Sequence, residues 1–148
     1  TVAVRDGSGN LVANLFTGTA TQAQYADLAE KYTTTEEYPV GTIMTIVKAD
    51  MQESIEAEME ACSENEIPCG VISDKPAYLM NAEADGQAVA LKGRVPVRVT
   101  GLIVKGEPIY TAMDGMGNQD SRHGTMVGIA LENNDEDGEK LVEVFLKV

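Results

Sequence analysis

Residues 88–101, AVALKGRVPVRVTG, constrain the fold more than any other stretch. Val89, Leu91, Gly93, Val95, Val97 and Val99 fall on one parity, and Lys92, Arg94 and Arg98 fall on the other. Strand side chains point alternately to opposite faces, so this run predicts a long β-strand with one buried side. Pro96 has no backbone donor, which places an edge or a bulge at that point.

Shorter runs continue the β pattern. GTIMTIVK (41–48), CGVIS (69–73), EPIYTAM (107–113), TMVGIAL (125–131) and KLVEVFLKV (140–148) each read as a strand. In SIEAEMEAC (54–62), Met51, Ile55 and Met59 permit a helix, but strict alternation with Glu56, Glu58 and Glu60 favours a strand. Short strands separated by Gly and Asn/Asp turns predict a mainly β chain, a small barrel or sandwich.

The N-terminal part reads differently. TVAVRDGSGNLVANLF predicts a strand, a turn over Asp6–Asn10 and a second strand. Such a hairpin cannot bury its own apolar side chains and must lean on the main domain or a neighbouring chain. In the following TGTATQAQYADLAEKY, Thr21 and Gln24 fit a capping box, and Tyr25, Leu28, Ala29 and Tyr32 fall at helical spacing. This predicts one amphipathic helix, ended by Thr33–Thr35 and Pro39. The organisation expected is a hairpin connector over 1–19 and a helix plus β-rich module over 20–148.

The bulk composition excludes several classes. The 148 residues suffice for one domain with a real core. No apolar run is long enough for a membrane span or the core of a signal peptide. The chain opens on Thr1, as a fragment or processed product would. With 24 acids against 11 bases, a net charge of −13 argues against a nucleic-acid backbone as partner. Two cysteines, Cys62 and Cys69, are too few for a disulfide framework or a four-ligand zinc site. They are either two reduced thiols or a hairpin bridge.

Catalytic patterns are weak. His123 is the sole histidine; Asp120, Ser121 and His123 are too close along one turn to adopt triad geometry. Glu132–Glu139, ENNDEDGE, imitates a calcium loop: with Asn133 first, Asp135, Asp137 and Gly138 fit, but position twelve is Val144. It reads as an acidic turn between strands. The acids from Asp50 to Glu66 alternate instead of clustering, which predicts a solvated face that holds no metal. No residue is assigned a catalytic, cofactor-binding or metal-binding role, and no cofactor is expected.

One stretch resists these readings. In GVISDKPAYLMN (70–81) a strand meets Pro76 and then Tyr78, Leu79 and Met80. Exposing each large side chain forgoes roughly 1.5–3 kcal/mol relative to burial. Tyr78 and Leu79 are therefore expected to be buried, in the core or between subunits.

QYADLAEKY (24–32), YPVGTIM (38–44), GVISDKPAYLMN, VALKGRVPVRVTG (89–101) and VKGEPIY (104–110) follow one another in order. In that order they resemble a C-terminal module of virion structural proteins of tailed bacteriophages. The module is commonest on tail fibres and surface appendages of large phages, including those of marine cyanobacteria. More distantly, the GRVPVRV segment is similar to self-cleaving chaperone domains that end phage tail spikes and appendages; their cleavage residues do not map onto this chain one by one. The resemblance implies a homotrimer that caps and helps assemble a fibre, made in the host cytoplasm and carried on the virion surface. It implies other virion proteins as partners, with a host-surface receptor also open and neither nucleic acid nor membrane involved. Three alternatives stay open: a capsid decoration or cement protein, an autoproteolytic domain that releases itself from a longer chain, and a glycan-binding module using Met113–Gly124.

Overall fold

The computed structural model describes residues 4–12, 26–48, 57–120 and 123–148, and every regular element among them is a strand. In chain order these are β1 (Asp27–Thr34), β2 (Ile43–Ile46), β3 (Glu58–Ala61), β4 (Gly70–Ile72), β5 (Tyr78–Met80), β6 (Gln87–Val99), β7 (Pro108–Thr111), β8 (Gly117–Asn118), β9 (Met126–Ala130) and β10 (Lys140–Leu146).

The fold is organised around β6. Its first half pairs antiparallel with β1, from Tyr32↔Gln87 to Asp27↔Gly93, and with β4 at Ile72↔Val89. Its second half pairs antiparallel with β10, from Phe145↔Arg94 to Lys140↔Val99. From the first half the pairing runs through β4, β2, β3 and β1 and returns to β6; from the second it runs through β8, β7, β9 and β10. Both circuits belong to one ten-stranded sheet. It is not a clear barrel, because β6 meets β8 at the single pair Val99↔Gly117 and β5 lies outside the circuit, against β1.

Gly93 is the switch between the halves. Its φ of +107° is one that side chains with a Cβ avoid. A Cβ there would lie 2.1 Å from the Ala26 carbonyl oxygen. The residue also breaks the parity read from sequence. Val89 is buried in a small core with Met44, Met59 and Ile72, and Leu91 packs against it. Ala90, of the opposite parity, joins Val95, Val97 and Val99 in the main core. The run is thus two half-strands with different buried faces. Pro96 lies at neither an edge nor a bulge: it is in register with Glu143 on β10, and its missing donor falls between the amides of Arg94 and Arg98, which donate at 2.9 Å each to Ala26 and Gly41.

The expected helix is corrected. Residues 27–34 form β1, flanked by β6 on one side and by β5 and β3 on the other. The first half of the expected helix, with Thr21, Gln24 and Tyr25, lies outside the described residues. The N-terminal turn is present: the Asp6 amide donates to Asn10, and Arg5 bridges Leu11. The strand expected to continue to Phe16 leaves the described residues after Val12, which is 86% exposed.

Candidate functional site

A buried carboxylate lies at the seam where β6 changes partners. Asp27 opens β1 with its side chain turned inward, and the residue is buried. Burying a carboxylate requires hydrogen bonds to replace its water. The Ser73 hydroxyl donates to Asp27 Oδ2 at 2.7 Å and the Ala77 amide to Oδ1 at 3.3 Å; the Ala77 amide also donates to the Asp27 carbonyl at 3.0 Å. Ser73 and Ala77 bracket the proline turn, so the carboxylate holds the DKPA segment against β1. Beside it opens a cleft of about 220 Å³ lined by Asp74, Lys75, Arg94, Pro96 and Glu143. Chemically this is a turn lock next to two cations.

That lock positions GVISDKPAYLMN, and of the two places expected to bury Tyr78 and Leu79, the core of the single chain is not where they lie. Leu79 is half-buried and Tyr78 is 65% exposed, on the short strand β5 alongside β1. Neither belongs to a core cluster, because a three-residue strand outside the circuit has the core on one side at most.

A second polar assembly centres on Arg98. Its Nε and Nη2 donate to the two Glu139 oxygens at 2.7 and 3.0 Å, and its Nη1 donates to Thr42 Oγ1 at 3.0 Å. This fork joins β6 to the turn before β2 and the loop before β10. The bond to Arg98 holds the Glu139 carboxyl below its ordinary range, and the same bond raises the guanidinium. Glu36, Tyr38, Glu60 and Asp114 line the adjoining cleft of about 470 Å³.

Among the described residues, those weighed in the sequence do not gather into a metal-binding group. Asp120 and His123 are exposed and Ser121 lies outside the described residues. The acidic turn joins β9 to β10, and the Lys140 ammonium, on a buried residue, donates to the carbonyls of Asn134 and Glu136. The loop therefore carries its own cation. Glu58, Glu60, Glu64 and Glu66 are half-buried, so this part of the acidic stretch is less solvated than expected; residues 50–56 lie outside the described residues. Met113, 70% exposed, lines a cleft of about 340 Å³ with Thr100, Met116 and Asp120.

Cys62 and Cys69 are free thiols. Their amides donate to the carbonyls of Ile43 (2.9 Å) and Met44 (2.8 Å). Successive carbonyls of a strand point to opposite sides, so the cysteines flank β2. Two strand spacings of about 4.8 Å each separate them, beyond the roughly 7 Å Cα limit of a disulfide. Burial, with Glu66 and Cys69 nearby, pushes the Cys62 thiol up to about 12.

Sequence reasoning missed the Asp27–Ser73 pair. Asp27 sat within an expected helix, and nothing in the local pattern links it to a serine 46 positions away.

No family model matches the chain, and no curated protein matches it in sequence. Solved structures do match. Over 95% of its length the chain superposes on the crystal structure of pre-mature bacteriophage phi29 gene product 12, with a TM-score of 0.67 and 15% identity. It shares the fold of part of that phage protein. The chain spans 24% of that protein's length. It also superposes on the crystal structure of the phi29 gene product 12 C-terminal fragment, with a TM-score of 0.63 and 15% identity. That match covers 82% of this chain and 100% of the fragment. At this identity the likeness is one of fold.

Proposed function

We propose that this chain is a virion structural module of a tailed bacteriophage: the C-terminal part of a tail fibre or surface appendage, which trimerises and caps the fibre. The observation that carries the reading is the match to the whole of the phi29 gene product 12 C-terminal fragment. A unit that covers a terminal fragment completely, and 24% of the longer protein, has the proportions of a module ending a longer phage chain. The ordered resemblance of GVISDKPAYLMN and VALKGRVPVRVTG to phage fibre modules supports it independently.

Two measurements test the proposal. Light scattering on the purified chain is expected to give three times the single-chain mass; a single-chain mass at micromolar concentration overturns the trimer. Microscopy of virions carrying a labelled module is expected to place the label on the tail or an appendage. Label spread over the capsid would favour a decoration or cement protein instead.

A second reading, autoproteolytic release from a longer chain, is favoured by one observation: the neighbour matched over 95% of this chain is described as pre-mature. Intact mass spectrometry of the virion-derived protein tests it. Release predicts that the mature fibre lacks the module; a module still joined to the fibre overturns it.

A further inference from the structure

The chain carries four Asp-Gly pairs: Asp6–Gly7, Asp85–Gly86, Asp114–Gly115 and Asp137–Gly138. In this dipeptide a backbone amide nitrogen reaches the preceding side-chain carboxyl most easily, because glycine puts no Cβ in the way. The fold holds three of the four back. The Asp6 carboxylate accepts from the Ser8 and Asn10 amides at 2.9 and 2.8 Å and from Asn10 Nδ2 at 3.0 Å. The Gly115 amide is committed to the Cys62 carbonyl at 2.9 Å, and Asp114 itself sits at a φ of +55°. Gly86 is pressed against β1: a Cβ there would lie 2.0 Å from the Tyr32 carbonyl oxygen.

Asp137–Gly138 carries none of these restraints. Both residues are exposed, and neither hydrogen-bonds to another described residue. Nothing stands within 4 Å of the place a Gly138 Cβ would take. Their neighbours, by contrast, are held. Asn133 Oδ1 accepts from the Lys105 amide at 2.8 Å, and Asn134 Oδ1 accepts from the Glu136 amide at 2.9 Å. The Lys140 ammonium donates to the Glu136 carbonyl, and Arg98 forks the Glu139 carboxylate. The pair is a free link between two anchors.

We propose that Asp137–Gly138 is a site of spontaneous covalent modification, at which the aspartate isomerises to isoaspartate through a succinimide. The Gly138 amide nitrogen bonds to Asp137 Cγ, and a carboxylate oxygen leaves as water with the amide hydrogen and one proton from solvent. Water then opens the ring. Attack at Cγ restores aspartate. Attack at the main-chain carbonyl leaves the chain running through Cβ and Cγ, with the former main-chain carbon as a free carboxylate and the mass unchanged. The backbone then holds one extra carbon between its anchors at Glu136 and Glu139. Lys140 is buried, whereas the Glu139 side chain is 49% exposed, so the fork to Arg98 is the anchor that yields.

The test holds the 148-residue chain at neutral pH and body temperature for several weeks. Electron-transfer mass spectrometry of its digest then distinguishes isoaspartate from aspartate at each position. Isoaspartate is expected to accumulate at 137 ahead of 6, 85 and 114. In strong urea, where the restraints are gone, the four should rise together. Equal accumulation at all four in the folded chain, or the same lead for 137 in urea, overturns the site. Asp137→Glu should lose the signal at 137, because its ring would need six members. Aged wild type should melt below fresh protein, and aged Asp137→Glu should melt with its fresh form. Isoaspartate at 137 with an unchanged melting temperature overturns the yielding of the fork and leaves the site standing.

Discussion

Ser73 donates its hydroxyl to the buried carboxylate of Asp27 at 2.7 Å, across 46 positions of sequence. The bond ties the proline turn after β4 to the first residue of β1. Removing it with Ser73→Ala leaves the carboxylate with the Ala77 amide, at 3.3 Å, as its remaining partner among the described residues. Such a deletion at a buried polar group costs about 1–3 kcal/mol. The urea midpoint should fall accordingly, with an unchanged slope. A midpoint equal to wild type would show that water replaces the hydroxyl.

Gly93→Ala is expected to be more disruptive than most Gly-to-Ala changes. Its φ is +107° and the new Cβ would lie 2.1 Å from the Ala26 oxygen, a backbone atom that cannot swing aside. Positive φ alone costs on the order of 1–3 kcal/mol for a residue with a Cβ, and the clash adds to it. Thermal unfolding should show a large drop, whereas Gly138→Ala, with a positive φ but open space around it, should show a smaller one. Equal drops would mean that the seam relaxes freely.

The two thiols should behave differently. Cys62 is fully buried and Cys69 half-buried, so a thiol reagent near pH 8 should label Cys69 readily and Cys62 only as fast as the protein opens. The sign of the pH effect follows from the raised Cys62 thiol. A group raised in the folded state leaves stability intact below the unfolded value of 9.0 and erodes it as pH climbs towards about 12. Alkaline loss of stability should be shallower in Cys62→Ala than in wild type. Parallel alkaline limbs would assign the loss to other groups.

Lys140 should matter more than a typical lysine. It is buried, and its ammonium donates to carbonyls within a loop that carries Glu132, Asp135, Glu136, Asp137 and Glu139. Lys140→Met leaves those carbonyls and acids without their internal cation. A melting temperature several degrees below wild type is expected, and added salt should narrow the gap by screening the exposed carboxylates. A gap that salt leaves unchanged would point to lost packing of the aliphatic stem.

Much of the architecture was legible because it is local. Short apolar runs located β2, β4, β7 and β9, alternation located β3, β6 and β10, and the Asp6–Asn10 turn followed from Asp, Gly and Asn. In a strand with one buried face, period-two patterning is a direct consequence of backbone geometry.

What sequence alone misassigned depended on contacts far along the chain. In β1 the inward positions are Asp27 and Ala29, while Leu28 and Tyr32 are half-buried, so its alternation is inverted in hydrophobicity and a helical spacing looked better. The inversion is tolerable because Ser73 and Ala77 satisfy the buried carboxylate, and β6, β5 and β3 pair both edges of the strand. The same holds for the parity switch in β6, which needs Ala26 pressed against Gly93. By itself the sequence determined that the chain is mainly β and where most strands run, since each strand's own side chains carry that pattern. Only the tertiary structure decided that residues 27–34 are a strand and that β6 serves two circuits, because those outcomes depend on hydrogen-bond partners and steric limits that distant residues supply.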